Sequence, residues 1–397
     1  MVESLVRSRR LGASIFFSPT HGRTSSIKVF PTIAYQLALR DQSYKSYVEE
    51  LMTQDPGCLG KTMGEQFHVL IIEPFVKRKV RNGSDTWLIA LDGLDECGDG
   101  PVSSGPSRHR EQVQCEIIHL ISQFILSNPS VPLKWLIASR PEPHLKAFFY
   151  RERVKKCLTS GAVPVDSTEG CLNVERYLYH KFNEIRQSYP EFNLRMPWPS
   201  SRQFLAIATA AKGLFVFAFV VIAFIGDPTV GNPVAQLNCV LTLLDQLALS
   251  PQSQNPLSNL DAMYIQILRR ISVEALPTTK RILGACIVMG KLQIISSQID
   301  LCLVCNVLGI SHDAAMTALR QLQSVLQIDG AQPQQPTPTM PRRPLFYHAS
   351  FQDFLVDQPR SREYWIDRHA IGVEFFWLLL EYKLEKLACK FFSHLQI

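Results

Sequence analysis

Trp87-Leu-Ile-Ala-Leu-Asp-Gly-Leu-Asp-Glu96 is the stretch that decides how this chain is read. The apolar run from Trp87 to Leu91 predicts a buried strand. It ends in Asp92, and Asp95 and Glu96 follow within one turn. Carboxylates gathered at the end of a buried strand are costly to desolvate unless a cation faces them. In open α/β sheets the carboxyl edge of the strands is where ligands bind. An aspartate that ends such a strand suits a magnesium ion held through its water shell, as in phosphate-transferring ATPases. The plainer alternative is a polar turn, because Asp-Gly is ordinary turn chemistry.

A second strand favours the ligand site. Leu133-Lys-Trp-Leu-Ile-Ala138 is again apolar, and Ser139, Arg140 and Pro141 close it. The proline stops the sheet. A guanidinium at that edge can fork onto phosphate oxygens, so Arg140 is a candidate for a nucleotide's terminal phosphate. The alternative for Arg140 is an exposed loop arginine.

Two such strands predict a third, followed by G-x-x-x-x-G-K-[ST], whose backbone N–H groups cradle phosphates. The sequence contains no such loop. The nearest stretch is Gly57-Cys-Leu-Gly-Lys-Thr62, with its glycines too close together and Asp55 where the first glycine belongs. It follows the turn Asp55-Pro56-Gly57 and not an apolar strand, so it reads as a loop ahead of a helix from Glu65 to Val80.

Working outward, strands and helices alternate. Leu11 to Ser18 reads as a strand, Val29 to Arg40 as a helix with Pro31 in its first turn, and Gln112 to Ser127 as an amphipathic helix. Val154 to Leu158 or Ala162 to Val165 is the candidate for a further strand. This alternation predicts a parallel, doubly wound sheet. From Val174 onward the pattern turns helical: Val174 to Ser188, Ser201 to Gly226, Leu260 to Ile271, Thr279 to Val288, Ser297 to Leu308, His312 to Ser324 and Ile371 to Leu387. Ser250 to Pro256 is a polar break. Ser324 to Ile328 and Pro344 to His348 are short apolar runs that suit a hairpin. Between them, Gly330 to Pro344 holds five prolines, a candidate flexible wing. Helices followed by a hairpin describe a winged-helix domain.

Composition bounds the function. The chain has 397 residues with 46% hydrophobic and 19% charged residues, which is globular composition with room for two or three domains. A formal net charge of +6 is too mild to argue for nucleic acid. The candidate recognition helix, His312 to Ser324, carries only Arg320 as a cation, whereas phosphate contacts need several. The ten cysteines show no disulfide spacing, which fits a reducing compartment and a cytoplasmic location. Cys302 and Cys305 sit in an apolar helical pattern and read as buried thiols, the alternative being half a zinc site. Arg7, Arg9 and Arg10 precede an apolar run too short for a signal peptide. Phe204 to Ile225 is broken by Lys212 and Gly213. The thirteen residues that remain fall short of the roughly 20 a bilayer needs, so no membrane span is expected.

Six segments occur in a telling order. They are Gly12-Ala-Ser-Ile-Phe-Phe-Ser18, Phe30-Pro-Thr-Ile-Ala-Tyr-Gln-Leu37, Leu91-Asp-Gly-Leu-Asp-Glu-Cys97, Ala138-Ser-Arg-Pro-Glu-Pro143, Gly213-Leu-Phe-Val-Phe217 and His348-Ala-Ser-Phe-Gln-Asp-Phe-Leu355. Over nearly the whole chain this set resembles the NACHT-domain NTPases of mushroom-forming fungi, in the nephrocystin-3-like group. The resemblance implies an α/β fold: a P-loop-NTPase-like parallel sheet lacking the P-loop strand, then an all-helical region and a winged-helix domain. The implied domains are residues 1–170, 171–255, 256–370 and the start of a further helical region at 371–397. In that family the phosphate loop comes just before the strand that begins here at Gly12, so the resemblance implies truncation ahead of it.

Roles follow by the same resemblance. Magnesium and ATP or GTP are the implied cofactors, with Asp92 holding magnesium through water. Asp95 and Glu96 are the candidates to orient the attacking water, Arg140 to contact the γ-phosphate, and His348 to reach the β-phosphate from the winged helix. The alternative for His348 is a strand-end histidine satisfied by its own loop. Two functions stand: a conformational switch that hydrolyses ATP or GTP, or a degenerate scaffold that binds protein partners or itself. The missing lysine and backbone donors favour the scaffold.

Overall fold

The structure, a computed structural model, describes residues 10–18, 23–80, 85–98, 110–162, 164, 166–190, 198–249, 257–292, 301–328 and 344–394, the last helix with side chains to 384. The loop after Gly98, the polar break at 250–256, the start of the helix expected at Ser297, the proline-rich wing and two residues of the Ala162–Val165 candidate strand lie outside the described residues. The chain divides into two compact units, Met1–Gly161 with Gly290–Ile294, and Ala162–Met289 with Ile295–Ile397. A small parallel sheet lies in the first, and the second is largely helical.

The first unit holds β1 (Leu11–Phe16), β2 (Trp87–Asp92) and β3 (Leu133–Ala138) in the order β1-β2-β3, all parallel. Trp87, Ile89, Ala90 and Leu91 are buried, as a central strand requires. On β3 burial alternates, with Leu133 buried and Lys134, Leu136 and Ala138 exposed. The helices are α1 (Val29–Ala38), α2 (Gln42–Gln54), α3 (Met63–Phe67, running on as a π-helix over His68–Lys77), α4 (Arg110–Ser127), α5 (Pro143–Phe149) and α6 (Glu152–Lys155). Their apolar faces meet the sheet in one core that includes Phe30, Leu37, Phe67, Ile117 and Phe124.

The π-helical stretch has a local cause. Pro74 lies inside it and cannot donate a backbone hydrogen bond. The carbonyl four residues earlier, on Leu70, accepts from the buried Tyr44 hydroxyl at 2.7 Å. Its neighbour, the Val69 carbonyl, accepts from Tyr47 at 2.6 Å. Burial pushes the Tyr44 pKa up, and that of Tyr47 up to about 12, so both remain donors. Val154, offered above as part of a strand, lies in α6. The charged run Arg151 to Lys156 buries only Val154 and has no alternating apolar face to pair.

The two outer edges of the sheet differ. On β1, Ser14 N donates to Gln36 Oε1 at 2.9 Å and Gln36 Nε2 donates to Ser14 O at 2.8 Å, so an amide side chain stands where another strand would pair. On β3, the bond from Trp87 N to Pro132 O fixes the parity of the ladder. Trp135 and Ile137 therefore turn their N–H and C=O groups away from β2. No backbone partner meets them there among the described residues.

The second unit contains α7 (Thr168–Ser188), α8 (Ser201–Ala211), α9 (Phe215–Ile225), α10 (Pro233–Leu249), α11 (Ser258–Leu268), α12 (Leu276–Leu292), α13 (Leu301–Leu308), α14 (His312–Arg320), the antiparallel pair β4 (Leu326–Gln327) and β5 (Leu345–Phe346), α15 (Ala349–Val356), α16 (Gln358–Ser361) and α17 (Arg368–His394). Lys212 at φ 45° and Gly213 at φ 75° end α8 and start α9, so the apolar stretch from Phe204 is two helices. Among the described residues no single helix is long and apolar enough to cross a membrane.

Candidate functional site

The parallel register brings the ends of β2 and β3 together. Asp92 lies opposite Phe16 of β1 and Ala138 of β3, so Ser139 and Arg140 begin one residue beyond. The chain turns sharply after Asp92. Gly93 takes φ +73°, and an added Cβ would sit 3.3 Å from the Phe17 carbonyl oxygen. Only glycine adopts that backbone without strain. A short 3-10 turn, Leu94–Glu96, follows, with Glu96 N donating to Gly93 O at 2.7 Å.

The carboxylates on this turn have different surroundings. Asp92 is exposed, and its side chain makes no hydrogen bond or ion pair among the described residues. Asp95 is held, with 8% of its side chain exposed. Its Oδ1 accepts from Arg140 N at 2.9 Å and from Ser139 Oγ at 3.3 Å, and its Oδ2 lies 3.6 Å from Arg140 Nε. Asp95 thus staples the end of β3 to the turn after β2. Glu96 is half-buried beside it.

Sequence reasoning missed the support beneath this edge. Gln114, on the buried face of α4, donates from Nε2 to the carbonyls of Asp95 at 2.8 Å and Cys97 at 2.6 Å. With its amide nitrogen so committed, Oε1 is the acceptor. His144 Nε2, 2.7 Å away on α5, must therefore carry the proton it donates. Arg110 Nη2 adds a bond to Asp95 O at 2.7 Å. The available signal was a glutamine among Val113, Ile117, Ile118 and Ile121, on a face that is otherwise apolar.

His348 belongs to the second unit. It precedes α15 and caps it, with Nδ1 accepting from Ser350 N at 3.1 Å. Ser350 Oγ lies 2.7 Å from that nitrogen and 2.7 Å from the Tyr264 hydroxyl. Burial pushes the Tyr264 pKa up and keeps it a donor. The chain of bonds therefore runs from Tyr264 through Ser350 to Nδ1, and the ring proton lies on Nε2.

The Gly57–Thr62 stretch is not shaped as a phosphate cradle. It lies between two helices, with a 3-10 turn over Cys58–Gly60. Lys61 Nζ is 2.5 Å from Asp55 Oδ2. Thr62 caps α3 in a capping box with Glu65: Thr62 Oγ1 accepts from Glu65 N at 3.4 Å, and Glu65 Oε2 accepts from Thr62 N at 3.0 Å.

A metal at the carboxylate edge would find one open carboxylate, Asp92. Among the described residues no group of three or more His, Cys, Asp or Glu could hold an ion. A magnesium ion takes that pattern only with phosphate and water as its other ligands. The described residues supply no lysine-bearing loop to hold that phosphate, so they fit the carboxylate half of a magnesium–nucleotide site and not the whole.

No curated protein and no solved structure matched the chain. A protein-family model did: residues 1–140, from the N-terminus through all three strands to Arg140, are similar to the family described as Nephrocystin 3, N-terminal.

Proposed function

We propose that this chain is a NACHT-type nucleotide domain that acts as a protein-binding or self-associating module and does not hydrolyse nucleotide by itself. The observation that carries the proposal is the Gly57–Thr62 turn. Its lysine is paired with Asp55 and its threonine caps a helix, so the nearest relative of a phosphate loop is committed elsewhere. The outer edge of β3, which meets no strand among the described residues, supports a binding role, because unpaired strand edges accept strands from partners. In this reading Asp95 is a positioning residue that holds Arg140. Helices α13 and α14 with the β4–β5 pair form a winged helix that packs within the molecule.

A second reading is an ATP- or GTP-hydrolysing switch that gains its phosphate loop from elsewhere. Asp92 favours it, as an exposed carboxylate without a partner among the described residues, at a strand end beside Arg140. Here Asp92 holds the water shell of magnesium, Glu96 or Asp95 orients the attacking water and Arg140 contacts the γ-phosphate.

Titration of the purified chain with fluorescent ATP and GTP analogues, with and without magnesium, separates the two. The module reading expects no saturable, magnesium-dependent binding. Saturable binding that Arg140→Ala and Asp92→Ala each weaken would overturn it.

A further inference from the structure

Helix α17 carries two apolar faces. One packs into the core of the second unit through Phe375, which is 2% exposed, with Ile371, Leu378, Leu379 and Tyr382 against it. Arg281 Nη2 pins the same helix by an ion pair to Glu374 Oε1 at 2.6 Å. Nothing among the described residues covers the other face. Val373, Phe376, Trp377, Leu380 and Leu384 are 46, 55, 60, 37 and 64% exposed. Their spacing of three, four, seven and eleven residues places them in one stripe along three turns.

We infer that this stripe is a self-association surface, on which α17 of a second copy lies antiparallel. This inference is independent of how the carboxylate edge is read. Three features select a second copy. The first is area: the five side chains offer on the order of 500 Å² per copy, and two such faces reach the roughly 1,000 Å² total at which a specific interface begins. Phe and Trp at the centre are the residue types that anchor interfaces.

The second feature is register. A two-fold axis between Leu378 and Leu379 sets Val373 level with Leu384 of the other copy and Trp377 level with Leu380. It also sets Glu374 level with Lys383, opposite charges at both ends of the contact. A parallel pair would instead place Glu381 beside Glu381 and Lys383 beside Lys383, and would align the two helix dipoles unfavourably. The third feature is charge. Glu374, Glu381 and Lys383 give the flanks both signs, whereas helices that lie on membranes carry lysine and arginine along their polar face.

The test is sedimentation velocity of the full chain over a hundredfold concentration range. A monomer–dimer equilibrium is expected. Trp377→Glu with Leu384→Glu should weaken it by at least about tenfold. These side chains are exposed, so circular dichroism should not change, nor should the melting temperature at concentrations where the wild type is monomeric. Lys383→Glu, which leaves the Arg281–Glu374 pair in place, should weaken the dimer alone. A chain that stays monomeric at every concentration overturns the proposal, as does a dimer indifferent to the double variant. Binding of the monomer to phosphatidylserine-containing vesicles that Trp377→Glu abolishes would assign the stripe to lipid and overturn it equally.

Discussion

Two stretches of the first unit have the composition of phosphate chemistry, and they use their polar groups in opposite ways. At the ends of β2 and β3, Asp92 faces solvent without a partner among the described residues, while Asp95, Ser139, Arg140 and Gln114 form the scaffold around it. At Gly57–Thr62, Lys61 is held by Asp55 and Thr62 by Glu65. The first is a rigid frame with an open carboxylate. The second is a helix cap that happens to spell Gly-Lys-Thr. A motif becomes a site only where its polar groups are left available by the structure that holds them, and here the carboxylate half meets that condition and the phosphate-loop half does not.

The comparison breaks most sharply at Gln114. Gln114→Leu keeps the shape but removes the amide bonds to the Asp95 and Cys97 carbonyls, which keep Arg110 as a donor, and takes the acceptor from the His144 N–H. The expected cost is about 2–4 kcal/mol, read as lost hydrogen-exchange protection in β2 and β3 peptides. Unchanged protection would mean that the edge is not held from below. The cap is worth less. Thr62→Ala should destabilise α3 by about 1 kcal/mol and leave β2 and β3 protection intact. If β2 and β3 also loosened, the turn and the edge would be one structural unit and the contrast would fail. The smallest effect belongs to Asp92. Asp92→Asn should change stability by no more than about 0.5 kcal/mol in a denaturant titration. A clear loss would show that Asp92 has a structural partner.

The strands of the site were legible because they are continuous apolar runs with abrupt ends. Leu133–Ala138 was read to the residue, and β2 extends the reading of Trp87–Leu91 only by Asp92. The break at Lys212–Gly213 was legible for the same reason, as polar and glycine residues inside an apolar stretch. Helix α2 was not read, although Tyr44, Tyr47, Val48 and Leu51 recur at helical spacing; only the two tyrosines are fully buried. Helix α10 also escaped the reading. Gln114 was invisible because its partners are backbone carbonyls 17 and 19 residues earlier, which no local pattern encodes. The π-helix was hidden too: Pro74 marked a disturbance, but its remedy came from Tyr44 and Tyr47 on another helix. Asp95 was read as a candidate to orient the attacking water. Its contacts with Ser139 and Arg140 were not legible, because only the register of β2 against β3 brings these residues near.

On the proposed reading, a carboxylate edge with no phosphate-gripping loop among the described residues does not turn over nucleotide. The most direct test is phosphate release from ATP and from GTP by the purified full chain, with and without magnesium, beside Asp92→Ala at equal concentration. Wild type and variant should both stay at the background rate. Magnesium-dependent release by the wild type that disappears in Asp92→Ala would contradict it.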